Sequence, residues 1–116
     1  MWLFTRYGFY SVVCAVGPDG GIDHDTMAVR ARCVDHLVRL QQRFPALAGT
    51  DIIESPHGDY HWRLMISRRR WTEIAEELAA EIDWTNFRNE VTACQALNGR
   101  HYLDAIQDVW DRMAHF

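Results

Sequence analysis

Between residues 60 and 82 the chain changes its period, and that change dictates most of what it can fold into. Tyr60, Trp62, Leu64 and Ile66 alternate with His61, Arg63, Met65 and Ser67, so an extended backbone puts the first set on one face and the second on the other. One face is a core; the other carries charge. Past Ser67 the residues Trp71, Ile74, Ala75, Leu78, Ala79 and Ile82 recur at helical spacing, with Glu73, Glu76, Glu77 and Glu81 opposite them. The segment predicts a strand that runs directly into an amphipathic helix.

The rest of the chain supplies partners for that unit. Residues 8–16 read as a strand in which Phe9, Ser11 and Val13 alternate with Tyr10, Val12 and Cys14, both sets being mostly apolar, which predicts cover on both sides. The breaker cluster Gly17-Pro18-Asp19-Gly20-Gly21, prolonged by Asp23-His24-Asp25, predicts a hairpin loop. A return strand over 26–32 follows, with Met27, Val29 and Ala31 inward and Ala28, Arg30 and Arg32 outward. A helix over 34–44 is stopped by Pro45, and a short strand over 51–55 turns through Pro56-His57-Gly58-Asp59 into the residue-60 strand. After the Trp71 helix, Asp83 or Thr85 offers a cap for a helix running to about residue 97 and closed by Asn98-Gly99. A final helix carries Tyr102, Ile106, Val109 and Met113, widened by Leu103 and Trp110, a stripe that demands burial.

This order predicts a single α+β domain over 1–116. Its core is a ββαββα, four-stranded antiparallel sheet with helices on one face, followed by two C-terminal helices. A ferredoxin-like fold with its last strand moved to the front has this order. The strands at 27–32 and 60–67 are then central, flanked by 8–16 and 51–55.

Composition excludes several classes. No apolar run approaches the roughly 20 residues that span a bilayer. The N-terminus also lacks the basic start and apolar segment of a signal peptide, which leaves a cytoplasmic reading with no membrane partner. A net charge of −4 argues against a protein that coats nucleic acid nonspecifically. The cysteines, Cys14, Cys33 and Cys94, form no Cys-x-x-Cys pair, so neither a disulfide framework nor a structural zinc site is expected. No cofactor motif is present.

Charge nonetheless gathers locally. The permuted topology brings Arg30, Arg32, His61 and Arg63 to the sheet face opposite the first two helices, with Tyr10 as the one clear aromatic beside them. A sheet face bearing cations and aromatics can bind single-stranded RNA; outward arginines also pair routinely with acidic neighbours. Arg68, Arg69 and Arg70 occupy a helix start, where the macrodipole disfavours cations. Either an anionic partner relieves them, or Arg69 and Arg70 pair with Glu73 or Glu77 along the helix. His24 between two aspartates reads as a solvated loop. Cys33 near a helix start, with His36 beyond it, has the makings of a reactive thiol or of a plain small side chain.

The run Trp2-Leu3-Phe4-Thr5-Arg6-Tyr7-Gly8-Phe9-Tyr10-Ser11-Val12-Val13, with Val29-Arg30-Ala31-Arg32, resembles a family of small bacterial and bacteriophage proteins to which no activity is attached. Asp83-Trp84-Thr85-Asn86-Phe87, Tyr102-Leu103 and Val109-Trp110-Asp111-Arg112-Met113 fit the same family. Trp84 and Arg88 depart from it, standing where Tyr and Lys are usual. The resemblance implies an inhibitor or adaptor that acts by binding a host or defence protein, and it transfers no site residue.

The leading expectation is thus a non-enzymatic binding or adaptor module. It would use Arg30, Arg32, His61, Arg63, Arg68, Arg69 and Arg70 against an acidic protein surface. A nucleic-acid-binding sheet and a small enzyme built on His61, Arg63 and Cys33 are the alternatives. Spare Trp and Tyr surface would also suit a homo-oligomer.

Overall fold

A computed structural model describes residues 1–95 and 100–116. The chain divides into two compact units, Met1–Ile82 and Asp83–Phe116.

The first unit is α+β, with an antiparallel sheet of five strands in the order β1-β2-β3-β5-β4. The strands are β1 (Trp2–Phe4), β2 (Phe9–Val16), β3 (Ile22–Ala31), β4 (Ile53–Glu54) and β5 (Trp62–Ser67). The expected four strands keep their expected order, and β1 adds an edge beside β2, so four strands is corrected to five. Three residues are too few to show a period, which is why β1 was not legible. β3 also starts earlier than expected: Asp23, His24 and Asp25 lie within it and are not hairpin loop. The hairpin itself closes through Gly17 N–H to Gly21 O at 2.8 Å, with Gly20 at φ 83°, a left-handed position that suits glycine.

Helices α1 (Val34–Arg43) and α2 (Arg68–Ala80) are each built on an apolar stripe. Leu37 and Leu40 of α1 and Trp71, Ile74 and Leu78 of α2 join Tyr10, Val12, Met27, Val29, Ala31, Leu64 and Ile66 in one core. Both helices therefore lie on one sheet face, as the alternation in β3 and β5 requires. Ser67 caps α2 by accepting the Arg70 N–H at 3.0 Å. Pro45 ends α1 and opens a short 3₁₀ turn, Pro45–Leu47, whose Leu47 closes the core's end.

Tyr10 belongs to this core, fully buried, with its hydroxyl donating to His36 O at 2.6 Å. Its expected place beside the arginines is corrected. β2 is apolar on both sets of residues, so its phase against β3 is fixed by pairing and not by pattern. That register aligns Ser11 with Arg30 and breaks at a shift between Cys14 and Ala15. Phe9, Ser11 and Val13 thus share the arginine face, and Val13 at 37% exposure shows that this side is not fully covered.

In the second unit α3 (Phe87–Gln95) and α4 (Arg100–Met113) are the described helices. Asn86, rather than Asp83 or Thr85, caps α3, its side-chain oxygen accepting the Asn89 N–H at 3.0 Å. The expected stop at Asn98-Gly99 lies outside the described residues. Val91, Tyr102 and Ile106 are buried, but Val109, Trp110 and Met113 are 41%, 66% and 58% exposed, which corrects the expected burial of the whole stripe. Arg88 in the first turn of α3 bonds to Gln107, so α4 beyond that level runs past the end of its partner helix.

Candidate functional site

Antiparallel register places one residue from every strand in a single row across the sheet: Trp2, Ser11, Arg30, Arg63 and Ile53. Residues directly opposite share a face, and with strands about 4.8 Å apart the row is about 19 Å long. At its centre Arg30 and Arg63 stand directly opposite each other. Like charges in that position repel. Arg30 donates through Nη2 to Ser11 Oγ at 2.7 Å, while the Nε groups of both Arg30 and Arg63 are buried without a hydrogen-bond partner. Among the described residues, none of Arg30, Arg32 and Arg63 has a carboxylate partner.

Tyr60 is the centre of the same face. Alternation from β5 predicts it on the core side, but β5 begins only at Trp62. Ahead of it the chain is still completing a turn, with Gly58 N–H to Ser55 O at 3.3 Å and Ser55 N–H to His61 O at 2.6 Å. The pleat does not extend back to residue 60, and Tyr60 turns toward the arginines. The guanidinium carbons of Arg30 and Arg32 lie 4.6 and 5.0 Å from its ring centroid, within the range of cation–π attraction. Phe9 lies 6.4 Å from Tyr60, Phe4 stacks on Phe9 at 4.6 Å, and Trp2 meets Phe9 edge-on at 6.3 Å. An aromatic ribbon therefore runs beside the arginine row. Tyr60 itself is 8% exposed, while Trp2, at the outer end, is 74% exposed.

The arginines at the start of α2 do not join this face. Ser67 pairs with Thr26 at the far end of β5, four residues and about 13 Å from Arg63 along the strand. Arg68 donates to His24 O and, at 3.3 Å, to Cys14 Sγ. Arg69 and Arg70 both pair with Glu73, at 3.5 and 3.2 Å. The helix-start arginines are thus a separate group, in which Arg69 and Arg70 share the Glu73 carboxylate. His61 is exposed, and its carbonyl is engaged by Ser55.

A second polar cluster was not legible at all. Glu81 Oε2 accepts from Tyr7 Oη at 3.0 Å and from Arg43 Nε at 3.0 Å, and Arg6 Nη2 lies 3.4 Å away. Burial, then the hydrogen bond to Glu81, pushes the Tyr7 phenol above its usual range, against the pull of Arg6. Residues 7 and 81 share no motif, so no spacing could announce the contact. Close by in sequence, His36 Nδ1 accepts the Phe9 N–H at 3.2 Å. Burial, followed by the charge of Arg39, holds the His36 pKa below its ordinary value. With its Nδ1 engaged, His36 serves the β2–α1 contact, and Cys33 stands exposed at the helix start.

No protein-family model, curated protein or solved structure matches this chain. No helix among the described residues is long and apolar enough to cross a membrane. Among the same residues no group of His, Cys, Asp and Glu side chains is arranged to hold a metal ion.

Proposed function

We propose that this protein is a non-enzymatic binding module that captures an anionic partner on the sheet face bearing Arg30, Arg32 and Arg63. The observation that carries the reading is the directly opposed pair Arg30 and Arg63, with no carboxylate partner, in a chain with 16 acidic residues to 12 basic ones. A chain with that many acids could neutralise the pair internally. It pairs Arg69 and Arg70 with Glu73 instead. Guanidinium forks match phosphate and carboxylate groups, so an anion bound beside Arg30 and Arg63 relieves the repulsion. An adaptor or inhibitor role against a host or defence protein is what the family resemblance adds to this reading. The permuted ferredoxin-like arrangement is the topology that we propose for the first unit, with β1 as an added edge.

The test is fluorescence anisotropy with labelled polyanions, poly-L-glutamate and single-stranded oligonucleotides among them, at increasing salt. Wild-type protein should bind at least one of them, with affinity that falls as salt rises, and the double substitution Arg32→Glu, Arg63→Glu should abolish the binding. The reading fails if no polyanion binds, or if the double variant binds as well as wild type.

A further inference from the structure

Building on the anion-binding reading, we infer that the partner on this face is a single-stranded nucleic acid, because the arginines share the face with an aromatic ribbon. Phosphates or carboxylates alone would account for the arginines. They do not account for Trp2, which lies in the same cross-sheet row as Arg30 and Arg63 and is 74% exposed. Leaving a large indole in water forgoes the stability its burial would bring, whereas a base stacked on it removes one face of each ring from water. Phe9 links Trp2 to Tyr60 through ring separations of 6.3 and 6.4 Å, so the ribbon is continuous from the outer edge to the arginine cluster. Over Tyr60 the guanidinium groups of Arg30 and Arg32 are held in place by the ring beneath. Guanidinium planes are themselves stacking surfaces for unpaired bases. The row thus offers two parts of what a nucleotide needs, a ring at Trp2 and cations at Arg30 and Arg63, with buried Ser11 holding the Arg30 guanidinium in place.

The acidic net charge is compatible with this chemistry. It removes the long-range attraction that drives nonspecific coating of duplexes, and it leaves binding to stacking plus a few local phosphate contacts, the combination that suits single strands. In a duplex the base faces are stacked on each other and cannot reach Trp2.

The experiment is fluorescence anisotropy on the full chain with mixed-sequence single-stranded RNA and DNA of about 12 nucleotides, within the range one such surface covers. The same strand annealed to its complement and labelled poly-L-glutamate are the other two arms. Single strands should bind, with a slope of log affinity against log salt of about −2 for three phosphate contacts. The duplex should bind at least about 5-fold more weakly. Trp2→Ala should weaken single-strand binding by roughly 5- to 100-fold, the loss of one stacked base, with the salt slope unchanged. Arg32→Gln should lower the slope by about 0.7. If poly-L-glutamate binds as tightly as the oligonucleotides and Trp2→Ala changes nothing, the nucleic-acid inference is wrong, the anion-binding reading stands, and an acidic protein surface is the partner. If nothing in the panel binds, both fall together.

Discussion

The opposition of Arg30 and Arg63 makes a thermodynamic prediction that needs no ligand. A direct cross-strand pair is worth roughly 0.2 to 1 kcal/mol in either direction, according to sign. Replacing Arg63 with Glu turns repulsion into attraction, a swing of roughly 0.4 to 2 kcal/mol before packing is counted. Part of that is offset, because Glu has a shorter stem than Arg and each buried methylene lost costs about 0.8 kcal/mol. Arg63→Gln is the control: it matches Glu in size and lacks the charge. The Arg63→Glu variant should therefore be more stable than the Arg63→Gln variant by roughly 0.2 to 1 kcal/mol at low salt, and the gap should close as salt screens the pair. In a unit of this size 1 kcal/mol corresponds to roughly 4 to 8 °C in Tm, so thermal melts in low and high salt resolve the upper part of that range and urea melts the rest. A Glu variant less stable than the Gln variant at low salt would refute the argument. It would mean that the surroundings of Arg63 already compensate a positive charge.

Other perturbations test the frame that positions this face. Gly8→Ala should cost at least about 2 kcal/mol in denaturant melts, because the added Cβ would sit 2.3 Å from His36 Cγ, overpacking a closed contact. Trp71→Ala, which empties the α2 side of the core, should cost roughly 3 to 5 kcal/mol; a loss below about 1 kcal/mol would remove α2 from the core. His36 has a folded pKa below its unfolded value, so the unfolded chain binds the proton more readily. Its stabilising contribution is complete above about pH 6.5 and is lost as pH falls through the folded pKa. Melts from neutral to mildly acidic pH should show this loss, and His36→Gln should reduce it. Glu81→Gln removes the charge shared by Tyr7, Arg6 and Arg43 and should destabilise by about 1 to 3 kcal/mol, whereas an unchanged melting point would make the cluster incidental.

Much of the fold was legible because alternation in β3 and β5 is unambiguous: Met27, Val29, Ala31, Leu64 and Ile66 could only face one way. The same alternation carried Arg30 and Arg63 to the opposite face. The aromatic half of the site was hidden for separate physical reasons. β1 is too short to show a period. β2 is apolar on both sets of residues, so Phe9 and Tyr10 exchange faces according to a register set by pairing. Tyr60 obeys the turn before β5 and not the strand. The short β1 and the turn at Tyr60 kept Trp2, Phe4 and Tyr60 from being placed beside the arginines, while the β2 register merely exchanged Tyr10 for Phe9, and together they made the face look poor in stacking partners. At the start of α2 a run of charge is conspicuous in sequence, while the pairing of Arg69 and Arg70 with Glu73 is settled only by side-chain geometry.

The central claim is that an anionic strand binds beside Arg30 and Arg63, and ¹⁵N–¹H correlation of the arginine Nε groups during titration with a single-stranded oligonucleotide reports on those two guanidinium groups. The Nε–H signals of Arg30 and Arg63, shielded from solvent in the free protein, should be visible at the outset. They should shift progressively with added ligand, together with the Trp2 indole, while those of Arg69 and Arg70 stay in place. Shifts confined to Arg68, Arg69 and Arg70, with Arg30, Arg63 and Trp2 unmoved, would contradict the account.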